Sequence, residues 1–497
     1  MMNGKQKQRP ALQVLAAAAV ATASVLSAGA ATAQTAADLS AAQIEDLVRR
    51  SYQYVAMFNV NNKFAMDPAN PSNTGGWNRL DTQTELLDHT MKSIARPNND
   101  TLYATAMIDV TGEPVILEIP AFDTGYASLM VTGYDHYVNI PLSTTKGDFS
   151  EPMTMLFYSA RTPGYDGEEI EGVDKYFEAT GDFLSAVFRI MPHSNDLERL
   201  QRNVAAFGEL DVMPLSEFRD DAPRPRRFVN WSMPRGIERR LDARRDDARF
   251  PEFGLTDFDI YENNFTEVMQ FVANHTTFDP ENDLDQAFLA TLEPLDIVPG
   301  KAYDPTSYVE IDGEVLRTVA EAVVREQLDI ALDPDASSKI AGEMFKPKGG
   351  MSLDALLFQS VIGPIGQPAT EVVYSQILSA DGGAMNASRD YVLRMKADEL
   401  PPAKAFWSFT LYDTENGFFM PNDRKKYSVG ENGGFKLDDD DGGIEIHVAA
   451  TQPDGVPEEN WLPLKRGDYD IDLQLRLYAP DLEAYRTWSP PVAQTVN

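Results

Sequence analysis

The first strong pattern of apolar positions along the chain is helical. Apolar residues near the start recur three or four positions apart: Ile44, Leu47, Val48, Tyr52, Val55 and Phe58. Ser40 precedes them, and Gln43 follows it three residues later, which is the pattern of a capping box. We therefore predict an amphipathic helix that begins at Ser40 and ends near Phe58.

Short apolar runs separated by turn residues follow this helix. They predict strands over residues 102–110, 115–119, 126–135 and 153–159. Turn sequences that contain Gly with Pro or Asp lie between them, at 111–114 and 123–125. These connections are too short for a crossover helix, so we predict an antiparallel sheet.

From residue 196 the pattern is helical again, and it returns to strands near Tyr391. Helices are predicted over 196–208, 262–275 and 314–332. The clearest strand pattern covers residues 469–478, where Tyr, Ile or Leu at each odd position alternates with a polar residue as far as Arg476. Such alternation is typical of an antiparallel strand with one face in the core and the other in solvent.

Together these patterns predict an α+β protein. Residues 34–190 are expected to form an N-terminal domain rich in antiparallel strands, and residues 191–390 a mainly helical connecting region. Residues 391–497 are expected to form a C-terminal β-sandwich or jelly roll. A content of 43% hydrophobic and 10% aromatic residues supplies enough apolar side chains for packed cores.

Residues 1–33 have the pattern of a signal peptide. Three basic residues precede an uncharged stretch rich in Ala and Val, and the small residues Ala31 and Ala33 fit a signal peptidase. We expect cleavage before Gln34 and a soluble periplasmic or secreted protein. The alternative is an uncleaved membrane anchor, which the short, Ala-rich stretch disfavours; no later segment is long and apolar enough for a transmembrane helix.

Charge and cysteine content exclude several classes of partner and chemistry. The formal net charge of −34 opposes binding to nucleic acid and to anionic lipid surfaces. The chain has no Cys, which excludes disulfide bridges, thiol nucleophiles and thiolate metal sites. The sequence leaves the oligomeric state open, including a homo-oligomer.

Familiar catalytic motifs are missing from the sequence. It has no G-x-S-x-G, H-E-x-x-H, G-x-x-x-x-G-K-[ST] or G-x-G-x-x-G pattern. Ser143 and Lys146 match S-x-x-K, but this short pattern occurs often by chance and here follows a strand rather than lying on a helix. The five histidines are scattered without the local spacing of metal ligands.

Two charged segments have both a structural and a functional interpretation. The acidic run at residues 438–441 is followed by two glycines, which favours a hairpin turn; the alternative is a calcium site, although the run lacks the full EF-hand pattern. The arginines at residues 224–249 are interleaved with acidic residues, which favours an ion-paired surface helix. The alternative is a surface that binds an anionic ligand or partner.

Two further segments combine polar and aromatic residues more densely than a plain turn or core requires. One reads R-P-N-N-D-T-L-Y at residues 96–103; the other reads F-W-S-F-T-L-Y-D at 406–413 and continues to N-W-L-P at 460–463. The chain resembles, over most of its length, an exported bacterial family with two domains of unknown function, numbered 1254 (N-terminal) and 1214 (C-terminal). The resemblance implies a β-containing domain, a helical connection and a β-sandwich, and it supplies no catalytic residues.

The same segments supply the candidate site. Amide and carboxylate side chains before a strand can bind a ligand, an arginine can bind a carboxylate, and aromatic faces can stack on sugars or planar molecules. We predict Asp100 as the catalytic residue and a ligand site formed by Arg96, Asn98, Asn99, Tyr103, Tyr134, Asp135, Trp407 and Tyr412. The alternative is an Asx-turn that leads into a strand, with the aromatic residues in the core.

Two functions remain open at this point. The first is an enzyme that acts on a small or oligomeric extracytoplasmic substrate by carboxylate acid/base or metal-assisted chemistry, with Asp100 or Asp135 as the acid or base. The second is a non-catalytic surface or assembly protein that binds a glycan, a mineral or a cation through its acidic surface. The cofactor is unknown, and a divalent cation is compatible with both functions.

Overall fold

The computed structural model describes residues 38–92, 96–219, 228–230, 249–306, 308–331 and 333–496. The predicted signal peptide lies outside the described residues, as does most of the Arg-rich segment. Arg249, at its end, pairs with Asp109 at 2.8 Å.

The described helices and strands are numbered here in chain order. The helices are α1 (Ala41–Met66), α2 (Leu197–Phe207), α3 (Leu215–Phe218), α4 (Asp257–Asn263), α5 (Phe265–His275), α6 (Asp283–Leu292), α7 (Gly313–Ala331), α8 (Pro334–Ala341), α9 (Leu353–Ile362) and α10 (Leu482–Tyr485). The strands are β1 (Arg79–Thr82), β2 (Leu102–Asp109), β3 (Val115–Ile119), β4 (Ala127–Thr132), β5 (Val138–Ser143), β6 (Met153–Ser159), β7 (Lys175–Ala179), β8 (Phe183–Ile190), β9 (Asp211–Pro214), β10 (Phe228–Asn230), β11 (Val372–Ile377), β12 (Met385–Asn386), β13 (Asp390–Met395), β14 (Ala403–Asp413), β15 (Ser428–Gly430), β16 (Ile444–Ala449), β17 (Trp461–Pro463), β18 (Asp470–Pro480) and β19 (Gln494–Val496).

The N-terminal strands form two sheets that pack on each other. One sheet has the order β10-β1-β2-β8-β4-β5, and the other has the order β7-β6-β3-β9. Most neighbours are antiparallel; β1 with β10 and β6 with β7 are parallel. Leu102 and Phe188 from the first sheet share a core with Leu117 and Phe157 from the second. We call this unit the N-terminal sandwich.

Helices cover the outer face of the six-stranded sheet. Helix α1 begins with the predicted capping box between Ser40 and Gln43, and it continues two turns beyond the predicted end, to Met66. Its apolar side chains share a core with α4 to α7 and with Phe183, which projects from β8. This helical layer accounts for most of the predicted helical middle.

The C-terminal strands also form two packed sheets. One contains β11-β18-β14-β15, with β12 also paired to β18, and the other has the order β17-β16-β13-β19. Trp407, Leu473 and Leu475 of the first sheet share a core with Leu393 and Ile446 of the second. We call this unit the C-terminal sandwich.

The α+β prediction is confirmed, but one face of β18 is not as predicted. The odd-numbered residues from Ile471 to Leu477 are buried, in the expected register. The opposite face was expected in solvent, yet Asp472, Arg476 and Tyr478 on it are also buried. The reason is that this face packs against the N-terminal sandwich. The alternating pattern shows that one face of β18 is apolar and the other polar. It does not show that another part of the protein covers the polar face.

The acidic run closes a turn, as its Asp-Gly sequence favours. The amide of Gly442 donates to the carbonyl oxygen of Asp438 at 2.9 Å, and the amide of Asp438 donates to that of Gly443 at 2.8 Å. The strand β16 follows this turn, whereas the residues before it are not in a strand. A search of the described helices for one that is long and apolar enough to cross a membrane finds none.

Candidate functional site

The buried polar face of the C-terminal sandwich meets the segment that leads into β2. Strands alternate their side chains, so Ser408 and Tyr412 of β14 point away from the core that holds Trp407. Ser408 Oγ donates to Asp100 Oδ2 at 2.6 Å, and the Tyr412 hydroxyl donates to the carbonyl oxygen of Pro97 at 2.6 Å. The two sequence segments singled out for their polar and aromatic residues therefore meet in the folded chain.

Asp100 lies at the centre of this contact. Its amide donates to Asn98 Oδ1 at 2.5 Å, an Asx-turn that holds the carboxyl in place ahead of the strand. The side chain is buried, and it also accepts a hydrogen bond from the Tyr478 hydroxyl at 3.3 Å. Burial raises the pKa of the Asp100 carboxyl, although the Arg476 guanidinium and the hydroxyl donors oppose the rise.

Arg476 brings a positive charge next to Asp100. Its guanidinium is buried, donates to Thr410 Oγ1 at 3.0 Å, and donates to the carbonyl oxygen of Arg96 at 2.9 Å. It also lies over the rings of Tyr374 and Tyr412, at 5.8 and 5.6 Å from their centroids. Such contacts hold the charge in place between the two sandwiches.

One side of this region opens to solvent. The ring of Tyr374 belongs to a residue that is 52% exposed, and Tyr103 is half-buried. Burial nevertheless raises the pKa of the Tyr374 hydroxyl, while Arg476 and Arg189 oppose the rise. Tyr374 lies opposite Arg476 in the pairing of β11 with β18, so its ring is partly exposed and partly next to the Arg476 guanidinium. We call Asp100, Tyr103, Arg189, Tyr374, Arg476 and Tyr478 the interface cluster.

The structure brings together most of the predicted site residues, as follows. Besides Asp100, the residues at the contact are Arg96, Asn98, Asn99, Tyr103 and Tyr412. Arg96 pairs with Asp472 at 2.5 Å. The side-chain amide of Asn99 donates through Nδ2 to the carbonyl oxygen of Leu87 at 2.5 Å, and its Oδ1 accepts from Ser428 Oγ at 3.3 Å.

The other three predicted residues lie elsewhere. Trp407 is next to Ser408 in sequence, but its ring stacks on Phe435 in the C-terminal core, with centroids 4.9 Å apart. Tyr134 packs its ring against Phe58 and Phe183 under the helical layer. Asp135 also lies under the helices, in a separate group of buried charges.

That second group consists of Asp135, Asp285, Lys348 and Tyr137, and we call it the inner cluster. Lys348 Nζ is 2.8 Å from Asp285 Oδ2 and 3.4 Å from Asp135 Oδ2. Burial raises the pKa of the Asp135 carboxyl; Lys348 opposes the rise, and Asp285 adds to it. Neither carboxylate oxygen of Asp135 forms a well-aligned hydrogen bond within the described residues, and the same holds for the Tyr137 hydroxyl.

Arg189 and Tyr374 were not predicted as site residues from the sequence, and Arg476 was assigned no role there. Arg476 interrupts a run of leucines in β18, and Arg189 follows Phe188 near the end of β8. An arginine within a strand whose neighbours are apolar is the signal that points to both. Among the residues that the structure describes, no group of three or more His, Cys, Asp or Glu side chains is placed to hold a metal ion.

Comparisons with known proteins identify the two halves of this contact. Residues 77–208 match the family model described as protein of unknown function DUF1254, and residues 370–482 match the one described as protein of unknown function DUF1214. Asp100, Tyr103 and Arg189 fall in the first segment, and Tyr374, Arg476 and Tyr478 fall in the second. The interface cluster therefore draws on both matched domains.

One solved structure has the same fold. The chain is similar to the VPA0106 protein from Vibrio parahaemolyticus, with 21% identity, a TM-score of 0.64, and 91% of this chain and all of that chain covered. A second match, with 12% identity and a TM-score of 0.40, is an uncharacterized protein from Burkholderia cenocepacia; it covers 92% of this chain and 95% of that chain. No curated protein matches the chain. The predicted pair of domains of unknown function, 1254 followed by 1214, is thus confirmed.

Proposed function

We propose that the chain is an exported enzyme that acts on a small or oligomeric substrate between its two sandwiches, with Asp100 as the general acid or base. One observation carries the proposal: a buried carboxyl with a raised pKa lies beside a guanidinium and two hydroxyl donors, close to half-exposed tyrosines. Titratable groups with shifted pKa values are concentrated at functional sites.

The contacts of Asp100 suit proton transfer. A carboxyl with a raised pKa keeps its proton closer to neutral pH, where it can donate it to a substrate. The Tyr478 hydroxyl donates to Asp100 Oδ2 at 3.3 Å, so it is placed to exchange a proton with the carboxyl. In this mechanism the Tyr478 hydroxyl turns its proton from Asp100 Oδ2 to the substrate and transfers it there. The Tyr478 oxygen then takes the proton of Asp100, and Arg476 stabilises the carboxylate that remains.

The open side of the cluster suits a small organic substrate. Tyr374 and Tyr103 offer aromatic faces to a planar or sugar ring, and their hydroxyls can orient its polar groups. The signal-peptide pattern at residues 1–33 supports action outside the cytoplasm. A protein without Cys is also compatible with an oxidising compartment.

The test compares Asp100→Asn with Asp135→Asn. Both variants replace a buried carboxyl of raised pKa, but only Asp100 lies in the interface cluster. Each purified protein is incubated with a small-molecule extract of the producing cells and their medium, and mass spectrometry records which compounds are consumed. We expect Asp100→Asn to slow consumption about 10²–10⁴-fold. We expect Asp135→Asn to leave the rate unchanged.

Two results would contradict the proposal. One is a wild-type protein that consumes no compound in the extract. The other is an Asp100→Asn variant that consumes the same compounds at the wild-type rate. A thermal melt of each variant accompanies the assay, so that a slower rate caused by unfolding is recognised.

The acidic surface favours a second function, the binding of a glycan, a mineral or a cation without catalysis. The net charge is −34, and Asp438, Asp439, Asp440 and Asp441 are all exposed at one turn. Replacing these four residues with Asn would weaken such binding and its dependence on ionic strength. The same replacement should leave consumption of a substrate at the interface cluster unchanged.

A further inference from the structure

The guanidinium of Arg189 is buried, and no described carboxylate forms an ion pair with it. The residue is 5% exposed and projects from β8 on the outer face of the six-stranded sheet. Arg189 Nη2 donates to the carbonyl oxygen of Ile365 at 3.2 Å, and the ring of Tyr103 lies 5.4 Å from the guanidinium carbon. Arg189 Nη1 is buried and has no hydrogen-bond partner within the described residues.

The neighbouring carboxylates are already engaged by other groups. Asp472 pairs with Arg96 at 2.5 Å, and Asp100 lies beside Arg476. Glu371, on the other side, accepts from Ser143 Oγ at 2.9 Å and pairs with Lys146 at 3.2 Å.

Glu431 is held by the backbone amide of Trp407 at 2.8 Å, and burial raises its pKa to about 7. In the part of the chain that the structure describes, no carboxylate lies within 4 Å of Arg189. A buried charge that no counter-ion offsets costs free energy, which suggests that the charge has a function.

We infer that Arg189 binds the anionic group of the substrate and that this group is the carboxylate of a small ring compound. The inference rests on the proposed function, since it names the substrate class for the interface cluster. A guanidinium binds a carboxylate through directed N–H donors, and no described residue accepts from those of Nη1. A ring attached to that carboxylate would then lie against Tyr103 and Tyr374.

Tyr374 provides the route by which such a compound reaches Arg189. The residue is half exposed, and its ring centroid lies 5.8 Å from the guanidinium carbon of Arg476. A rotation of this one side chain would let a carboxylate replace the phenol near the two guanidinium groups. The ligand would carry its negative charge into a region that holds two buried arginines and one carboxyl that resists ionisation.

The test uses benzoate as the probe, with benzamide as its neutral counterpart of the same shape. Binding is measured by calorimetry and by thermal melting of the full chain, for wild type, Arg189→Met and Arg189→Lys. We expect benzoate to bind the wild type and raise its melting temperature, and benzamide to do neither. Arg189→Met should weaken benzoate binding at least about tenfold, which corresponds to about 1.4 kcal/mol, and Arg189→Lys should retain part of it.

The stability of Arg189→Met without ligand separates an anchor from a structural residue. If Arg189 serves the ligand, replacing an unpaired buried charge with Met should leave the melting temperature unchanged or raise it. If Arg189 holds the fold together, the variant should melt clearly below the wild type, and that result would overturn the inference. Equal benzoate binding by wild type and Arg189→Met would overturn it too, as would inorganic phosphate binding as tightly as benzoate.

The same set of proteins distinguishes this inference from the proposed function. If benzoate binding requires Arg189 but Asp100→Asn consumes compounds at the wild-type rate, the inference stands and the acid/base role of Asp100 fails. If Asp100→Asn loses turnover while no anion binds to the wild type, the proposed function stands and the carboxylate assignment fails.

Discussion

The interface cluster and the inner cluster both contain a buried carboxyl whose pKa is raised by burial, but the two carboxyls differ in their hydrogen-bond donors and in their access to solvent. Asp100 accepts hydrogen bonds from two hydroxyl groups and lies near side chains that reach solvent. Asp135 has no well-aligned hydrogen-bond donor among the described residues for either oxygen, and it shares one lysine with Asp285. A raised pKa alone therefore does not locate a site; access and hydrogen-bond donors decide between the two.

The inner cluster is closed on the sides that the structure describes. Gln53 of α1 donates to the carbonyl oxygen of Asp135 at 3.0 Å, and buried tyrosines lie around the carboxyl groups. Lys348 is the cation that offsets the two carboxylates, and their charges raise its pKa against the opposing effect of burial. We therefore interpret the inner cluster as structural and the interface cluster as functional.

The largest expected effect is that of Lys348→Met. It would leave Asp135 and Asp285 buried together without a cation, and breaking a buried ion pair by removing one partner costs about 3–5 kcal/mol. Chemical denaturation would measure the loss of unfolding free energy. The triple variant Lys348→Met, Asp135→Asn, Asp285→Asn should recover most of it, and a triple variant as unstable as the single one would contradict a charge-based explanation.

The next prediction compares the loss of unfolding free energy caused by a substitution on each face of β18, the strand that carries Arg476. Leu473 is buried in the C-terminal core, whereas Gln474 on the other face is half-buried. Leu473→Ala should cost about 2–5 kcal/mol, because it removes buried apolar groups and leaves a cavity. Gln474→Ala should change the unfolding free energy by about 0.5 kcal/mol or less. Equal losses would show that the polar face contributes to the core as much as the apolar one.

These two faces also show which parts of the fold can be predicted from the sequence. The odd positions of β18 predicted the buried face and its register, and Ser40 with Gln43 predicted the start of α1. Both are local signals, in which neighbours a few residues apart reveal the element. The contact of Asp100 with Ser408 joins residues 308 positions apart, and no local pattern encodes such a pairing.

The same limit explains the placement of individual site residues. The motif at residues 406–413 drew attention to Trp407 and Tyr412 together, yet they fall on opposite faces of β14 because they differ in parity. Asp135 was grouped with the site because, with Tyr134, it places polar and aromatic residues at the end of the strand predicted over residues 126–135. The helical layer that covers it comes from residues far along the chain, so its burial was not visible in the sequence.

A pH-dependent effect arises next to the inner cluster, at His136. Its ring is buried, Nδ1 lies 2.8 Å from Ser360 Oγ and Nε2 lies 2.7 Å from the carbonyl oxygen of Pro364, and burial lowers its pKa to about 4. The unfolded chain, with a pKa near 6.5, binds more protons between these values. Stability should therefore fall by about 1–3 kcal/mol as the pH drops from about 6.5 to 4.

The variant His136→Asn tests that assignment. Asn tolerates the positive φ of 62° at this position and does not titrate. Its unfolding free energy should depend less on pH over the same interval than that of the wild type, whatever its stability at neutral pH. A smaller pH dependence of the unfolding free energy should remain in the variant, because the pKa of His193 is also lowered to about 4. An unchanged slope would mean that His136 is not the responsible group.

The smallest expected effect comes from removing one tyrosine hydroxyl, either at the contact between the two sandwiches or in the inner cluster. The Tyr412 hydroxyl donates to the carbonyl oxygen of Pro97 between the two sandwiches, whereas the buried Tyr137 hydroxyl has no hydrogen-bond partner within the described residues. Tyr412→Phe should cost about 0.5–1.5 kcal/mol, since it removes a made hydrogen bond and leaves the Pro97 carbonyl without its donor. Burying the Tyr137 hydroxyl costs free energy, and no hydrogen bond to a described residue offsets that cost. Removing it in Tyr137→Phe should therefore leave the unfolding free energy unchanged or raise it. Denaturant unfolding of both variants measures the difference. A larger loss for Tyr137→Phe than for Tyr412→Phe would reverse the comparison, because it would assign the more important polar contacts to the inner cluster.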